Sequence, residues 1–297
     1  MTVEKPPLAT PQTGDHAVLL LHGLSSSPLE LRFLARYLDD EGFVTHTPEL
    51  CGYSAGTGHS AMEAWVGAAL KEFDRLVAQY RHVSICGLSM GAALASTVAS
   101  ERPSARALLL LSVTLSYDGW AMPWYRFLLD WLYYTPMRSR YKYRERDPYG
   151  LRNIALRSKI ARAMEKGGIS KVGPASISLS ALHEAARLTA SLRRRLKDIS
   201  SDCLIIHAID DETSSPHNAD FVEASIGASF VRTIWLDDSY HMISSDNERE
   251  VVARECALFL RESVAAYRSR AGDSPSPIVS RALARRLRHL ASIGRKA

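Results

Sequence analysis

Through the first 115 residues, short apolar runs alternate with longer segments whose apolar residues recur at helical spacing. Ala17 to Leu21 is apolar throughout and ends at His22-Gly23. Ser27-Pro28 then opens a helical pattern carried by Leu29, Leu31, Phe33, Leu34 and Leu38. Phe43 to Thr47 reads as a second strand that runs into the Gly-rich loop Gly52 to Gly58. Trp65, Ala69, Phe73 and Leu76 mark an amphipathic helix from Met62 to Tyr80. Val83 to Cys86 is a short buried strand, Gly87 to Gly91 a tight turn, and Ala92 to Ser100 a helix of small residues that stops before Pro103. Ala107 to Val113 is the next strand. Strands apolar on both faces and separated by helices predict a parallel sheet covered on both sides.

The alternation stops after Ser116. Trp120 to Tyr134 is rich in aromatics, Arg138 to Arg146 is a basic run interleaved with Tyr141 and Tyr143, and Arg152 to Met164 and Ser178 to Leu196 have helical spacing. The strand-helix alternation resumes with Cys203 to Ala208, a helix near Asn218 to Ser225, the strand Phe230 to Leu236 and a long helix from Glu248 to Tyr267. At 297 residues the chain suits one domain with an insertion better than two independent domains. The expected architecture is α/β, a doubly wound and mostly parallel sheet over residues 16–115 and 196–270. A helical cap occupies 116–195, a lead-in 1–15 and a basic amphipathic tail 271–297.

Composition narrows the class. No apolar run approaches the roughly 18 residues that a bilayer-spanning helix needs. The polar, Pro-bearing first 16 residues lack the plan of a secretory leader. Cys51, Cys86, Cys203 and Cys256 form no CxxC pair and have no zinc-site spacing, so reduced thiols in a cytoplasm and no structural metal are expected. The net charge of +5 is unevenly divided: 16 Lys/Arg against 6 Asp/Glu in 116–195, and 6 against 1 in 271–297. An acidic core therefore carries a cationic cap and tail. The cationic residues lie outside any nucleic-acid-binding motif, and no nucleic-acid partner is expected. They suit either anionic substrates and a weak contact of cap and tail with anionic membrane surfaces, or internal pairing of cap arginines with the acidic core.

Gly87-Leu88-Ser89-Met90-Gly91 matches G-x-S-x-G between a strand and a helix, the setting of a nucleophile elbow. A serine exposed on so sharp a turn needs neighbours without side chains two residues before and two after it. The helix N-terminus that follows favours negative charge on the bound oxygen. A serine hydroxyl also needs a base held by an acid. His241 and Asp211 lie in loops that follow the strands Phe230 to Leu236 and Cys203 to Ala208, at the strand ends where open parallel sheets place their sites. Asp211 is favoured as the acid because it stands third after the small residue Ala208, with Asp210 the alternative. The backbone N–H groups of Met90 and Leu24 are the natural oxyanion donors. His22 is expected to tie down its loop. In the cap, Trp124, Phe127 and Trp131 either line an acyl pocket or pack the cap on the core.

Taken together, Val18 to Leu24, Gly87 to Gly91, Ala208 to Glu212 and Ser239-Tyr240-His241-Met242 followed by Asp246 resemble the bacterial carboxylesterase and monoacylglycerol lipase group of α/β-hydrolases. The resemblance covers about residues 16–115 and 196–267. It implies an eight-stranded sheet, a cap over the site, no cofactor, and hydrolysis of a small-molecule carboxylic ester by Ser89, His241 and Asp211. Where many relatives have Gly-His-Gly after the second strand, this chain has Cys51-Gly52-Tyr53-Ser54, so that wall is expected to differ. A thioesterase, an acyltransferase, a peptidase or a non-catalytic binding protein of the same fold are the alternatives, since fold alone does not choose among them. Oligomeric state and pathway have no signature in the sequence.

Overall fold

The structure, a computed structural model, describes residues 14–270 apart from 124–127, 137–140, 145–146, 168, 171–172 and 175. The lead-in to residue 13 and the tail 271–297 therefore lie outside the described residues, as do Trp124 and Phe127. Six strands form one sheet: β1 (His16–Leu21), β2 (Val44–His46), β3 (His82–Leu88), β4 (Ala107–Leu111), β9 (Asp202–Ala208) and β10 (Val231–Leu236). Their order is β10-β9-β4-β3-β1-β2, and every pairing is parallel. Among the described residues the sheet thus has six strands where the family resemblance implies eight.

Alternate residues of each central strand feed opposite sides. Leu19, Ile85, Leu108 and Ile205 pack with α2 (Met62–Val77) and α3 (Met90–Glu101), contributing to a core that includes Trp65, Phe73 and Leu94. Leu20, Cys86, Leu109 and Ile206 pack with α1 (Arg32–Asp40) and α8 (Arg249–Arg270), where Leu38 and Phe259 are buried. Burial on both faces is the reason these strands read as unbroken apolar runs. A further helix, α7 (His217–Ser225), precedes β10.

The cap holds α4 (Leu128–Tyr133), β5 (Lys142–Arg144), α5 (Ile154–Gly167), the short antiparallel pair β6 (Ile169–Ser170) and β7 (Gly173–Pro174), β8 (Ser176–Ser178) and α6 (Leu179–Arg195). Within the basic run, Lys142–Arg144 is a strand that the sequence reading did not assign. Tyr143 of β5 pairs with Ile177 of β8 in antiparallel register, and the Tyr-Lys-Tyr-Arg alternation is the period-two pattern of a half-buried strand. Trp131 also departs from the expected role. It is 79% exposed, while its helix meets α6 through neighbours such as Tyr133, whose ring stacks on His183 at 3.6 Å. No helix among the described residues is long and apolar enough to cross a membrane.

The position of the site follows from strand order. From β1 the chain moves to β2 on one side and then returns to lay β3 on the other, so the connections leaving β1 and β3 diverge. That reversal opens a crevice at the carboxyl ends of β1 and β3, the usual ligand position in an open α/β sheet.

Candidate active site

Ser89 stands between β3 and α3 with φ 57° and ψ −121°, a strained conformation for a residue with a side chain. The two elbow glycines are dictated by backbone contact. A Cβ on Gly87 would sit 2.1 Å from the carbonyl oxygen of Gly91, and one on Gly91 would sit 2.2 Å from that of Leu21. The Ser89 N–H donates to Leu111 O at 2.8 Å, which seats the elbow on β4.

His241 Nε2 lies 2.8 Å from Ser89 Oγ, and its Nδ1 lies 2.7 Å from Asp211 Oδ2. A carboxylate can only accept, so Nδ1 carries the proton and Nε2 is left to accept the Ser89 hydroxyl. Asp211 is buried, and its Oδ1 also accepts the N–H groups of Thr213 and Ser214 at 2.9 and 2.7 Å. Asp210 instead points to solvent and pairs with Arg152 at 3.0 Å. Of the two neighbouring carboxylates, Asp211 is the one brought to His241.

Several contributors escape sequence reasoning. Ser112, at φ 45°, donates its hydroxyl to His241 O at 2.7 Å. Glu212 accepts the His241 N–H at 3.1 Å, and burial pushes its carboxyl pKa upward. His207 lies behind Asp211, donating Nε2–H to Ser214 O at 2.8 Å. Burial lowers its pKa and favours the neutral ring. Asp246, which the sequence resemblance singles out without a role, accepts the N–H groups of Arg152, Asn153 and Tyr240, which joins the cap to the loop of His241. Ser112–His241, Glu212–His241 and the cap contacts of Asp246 join residues far apart in the chain, and only the strand-end position of Ser112 is a weak signal.

The loop after β1 supplies the other half. His22 Nδ1 donates to Gly23 O at 2.8 Å, and Nε2 accepts from the Ser54 hydroxyl at 2.8 Å. Burial lowers the His22 pKa to about 4, which keeps the ring neutral. The Tyr53 hydroxyl donates to His22 O at 2.8 Å, and Ser25 N–H to Tyr53 O at 3.0 Å. Tyr53 and Ser54 are thus the struts that hold this loop. Leu24 and Met90 are both buried, and among the described residues neither spends its N–H on another group.

A cavity of about 190 Å³ opens above Ser89 and His241. Its walls include Leu24, Tyr117, Met122, Tyr143, Ile177 and Leu182, together with the carboxyls of Glu30 and Glu212. Trp131 is not among the described residues that line it. Among the described residues no cluster of His, Cys, Asp and Glu is suited to a metal ion.

Residues 12–248 match the family described as Hydrolase_4, serine aminopeptidase S33. The chain is 25% identical to a carboxylesterase of Bacillus subtilis (strain 168), over 88% of this chain and 99% of that protein. It is 22% identical to the thermostable monoacylglycerol lipase of Bacillus sp. (strain H-257), over 84% and 91%. Its fold is similar to the crystal structure of Paleococcus ferrophilus monoacylglycerol lipase, with a TM-score of 0.69 at 18% identity, covering 83% of this chain and 94% of that one. With most of its length matched, the chain belongs to the serine aminopeptidase S33 family of α/β-hydrolases, in the group of carboxylesterases and monoacylglycerol lipases.

Proposed function

We propose that this chain hydrolyses carboxylic esters through an acyl-enzyme on Ser89. The observation that carries the reading is the unbroken hydrogen-bond chain from Asp211 through His241 to Ser89, ending in the cavity. Similarity to a carboxylesterase and a monoacylglycerol lipase supports the same chemistry. Ser89 Oγ attacks the ester carbonyl carbon while His241 Nε2 takes its proton, and buried Asp211 stabilises the imidazolium without itself being protonated. The N–H groups of Leu24 and Met90 receive the negative charge that develops on the carbonyl oxygen. Collapse of the tetrahedral intermediate breaks the C–O bond, and the leaving alkoxide takes the proton from His241. Water, deprotonated by the same nitrogen, then attacks the acyl-enzyme and releases the acid and Ser89.

The cavity sets the expected substrates. At about 190 Å³ it is smaller than the roughly 300–1,000 Å³ of sites for drug-sized ligands, and its aromatic and aliphatic walls suit an uncharged acyl chain of short to medium length. Rates on p-nitrophenyl esters of increasing chain length, a monoacylglycerol, an acyl-CoA and an amino-acid p-nitroanilide test the proposal in one panel. Ester turnover that falls as the acyl chain lengthens is expected, together with labelling of Ser89 by a fluorophosphonate. Turnover of the anilide or the thioester above that of every ester would replace the reading with a peptidase or a thioesterase.

A further inference from the structure

Glu30 is a buried carboxyl beside the nucleophile for which the reaction above has no use. It sits on the single turn Pro28–Leu31, is 4% exposed and lines the cavity. Its Oε2 accepts the Gly23 N–H at 2.9 Å, and its backbone oxygen accepts the Ser244 hydroxyl at 2.9 Å. One residue therefore bonds both the loop after β1 and the loop that carries His241. The carboxyl also packs against the Gly23 α-carbon: a Cβ there would lie 3.2 Å from Oε2 and 3.8 Å from Ser89 Cβ.

From these contacts we infer that Glu30 is a positioning residue for the oxyanion hole. Its carboxyl holds the Gly23 peptide so that the next N–H, that of Leu24, faces the carbonyl oxygen of the substrate. This inference rests on the ester-hydrolase reading. A loop leaving a strand has no ladder to orient its peptide groups, so side chains must do it. The peptide joining His22 to Gly23 is held at both poles, its carbonyl by the Tyr53 hydroxyl and its N–H by Glu30, and the next peptide, which carries the Leu24 N–H, is held at its carbonyl by His22 Nδ1. Loss of that acceptor leaves the buried Gly23 N–H unpaired and lets the His22–Gly23 peptide tilt about its remaining bond to Tyr53, which shifts the Leu24 donor on the peptide that follows. Burial pushes the Glu30 carboxyl up to about 7 against the opposing pull of its polar neighbours, so much of it is neutral near neutral pH. A neutral carboxyl still accepts through its carbonyl oxygen. It also keeps a full negative charge away from the oxygen on which the reaction builds one.

Two substitutions of similar volume separate an acceptor from mere packing. Glu30→Gln keeps an oxygen acceptor and removes the charge, whereas Glu30→Met fills the space with no strong acceptor. With p-nitrophenyl butyrate, kcat of Glu30→Met should fall about 10- to 100-fold, short of the loss seen when an oxyanion donor is deleted outright. KM should stay within about twofold, because the ground-state carbonyl gains little from the hole. Glu30→Gln should keep at least a third of wild-type kcat. Full kcat in Glu30→Met, or an equal loss in both variants, overturns the inference. If Glu30→Met does not fold, Glu30→Ala takes its place, and a Glu30→Gln rate below a tenth of wild type would by itself count against the assignment. Wild-type enzyme in the same assay separates the two claims. If it neither turns over esters nor reacts with fluorophosphonate, the ester-hydrolase reading fails. Wild-type turnover matched by Glu30→Met disposes of the Glu30 role alone.

Discussion

Asp210 and Asp211 are adjacent in sequence and opposite in surroundings. Asp211 is buried among the donors His241, Thr213 and Ser214, while Asp210 is exposed and pairs with Arg152. Asp211→Asn should cost about 10⁴-fold in turnover, because an amide at that position favours the wrong His241 tautomer. Asp210→Asn breaks only an exposed ion pair, worth about 0.2–1 kcal/mol, and should leave kcat near wild type. Steady-state rates on one soluble ester decide the comparison. Ser89→Ala should lose at least about 10⁴-fold in kcat with stability nearly unchanged, since it removes one hydroxyl facing the cavity and keeps the Cβ that the strained backbone already carries. A third residue prediction concerns pH. Burial lowers the His16 pKa to about 3, far below the 6.5 of an exposed histidine. Below 6.5 the unfolded chain takes up a proton that folded His16 refuses, so its contribution to stability is lost as pH falls from 6.5 toward 3. His16→Gln should flatten the fall in urea-unfolding free energy between pH 6.5 and 4. An unchanged slope would remove His16 from the account.

At the scale of elements, the junction β3-elbow-α3 depends on backbone touching backbone. A Cβ on Gly91 would lie 2.2 and 2.4 Å from the carbonyl oxygens of Leu21 and His22, so Gly91→Ala must push α3 off β1. Overpacking of this kind costs about 1–3 kcal/mol, and here it should also displace Met90 and Ser89 and remove most activity. Gly67 is the matched control. It is an exposed position inside α2 with nothing within 4 Å of an added Cβ, and Gly67→Ala should raise stability by about 0.8–1 kcal/mol. Denaturation midpoints of the two variants should move in opposite directions. The elbow was legible because its constraint is local: strand, glycine, serine, glycine and helix follow one another along the chain. The period-two alternation of β5 was equally present, yet the charges of Lys142 and Arg144 masked it until Ile177 was found opposite Tyr143.

At the scale of the molecule, the charge of the cap is partly spent across its interface with the core. Arg152 pairs with Asp210 and Asp238, Arg187 with Glu63, and Arg195 with Glu101. Internal pairing lowers the field left over to steer anionic substrates. The kcat/KM for an anionic p-nitrophenyl ester should accordingly change less than about twofold as salt rises through the range in which the Debye length falls from 10 to 3 Å, and a larger fall would show that the cap still steers anions. The tail 271–297, with 6 basic residues against 1 acidic, remains our candidate for contact with anionic lipid. Deleting residues 272–297 should reduce sedimentation with anionic vesicles at low salt and leave hydrolysis of a soluble ester intact. Equal vesicle binding by the shortened protein would sink that proposal.

A run of neighbouring residues can specify only local features. Those include the strand-helix order of the core, through the burial period of each segment, and the elbow at Ser89, but not the short strands of the cap. The sequence also specifies the pairing of a strand-end acid with a strand-end histidine, because an open parallel sheet brings such ends together whatever the sequence between them. Contacts between segments distant in the chain were decided only by the tertiary structure. Asp211 rather than Asp210 is turned inward by the N–H groups of Thr213 and Ser214. The cavity is walled by Tyr117, Tyr143 and Ile177 while Trp131 lies in solvent. Glu30 and Glu212 became visible as buried carboxyls only once Gly23 and His241 were placed against them. The physical reason is that a periodic pattern records how much of a residue is buried, whereas a buried carboxyl is stable only where particular donors converge, and convergence is a property of the folded chain.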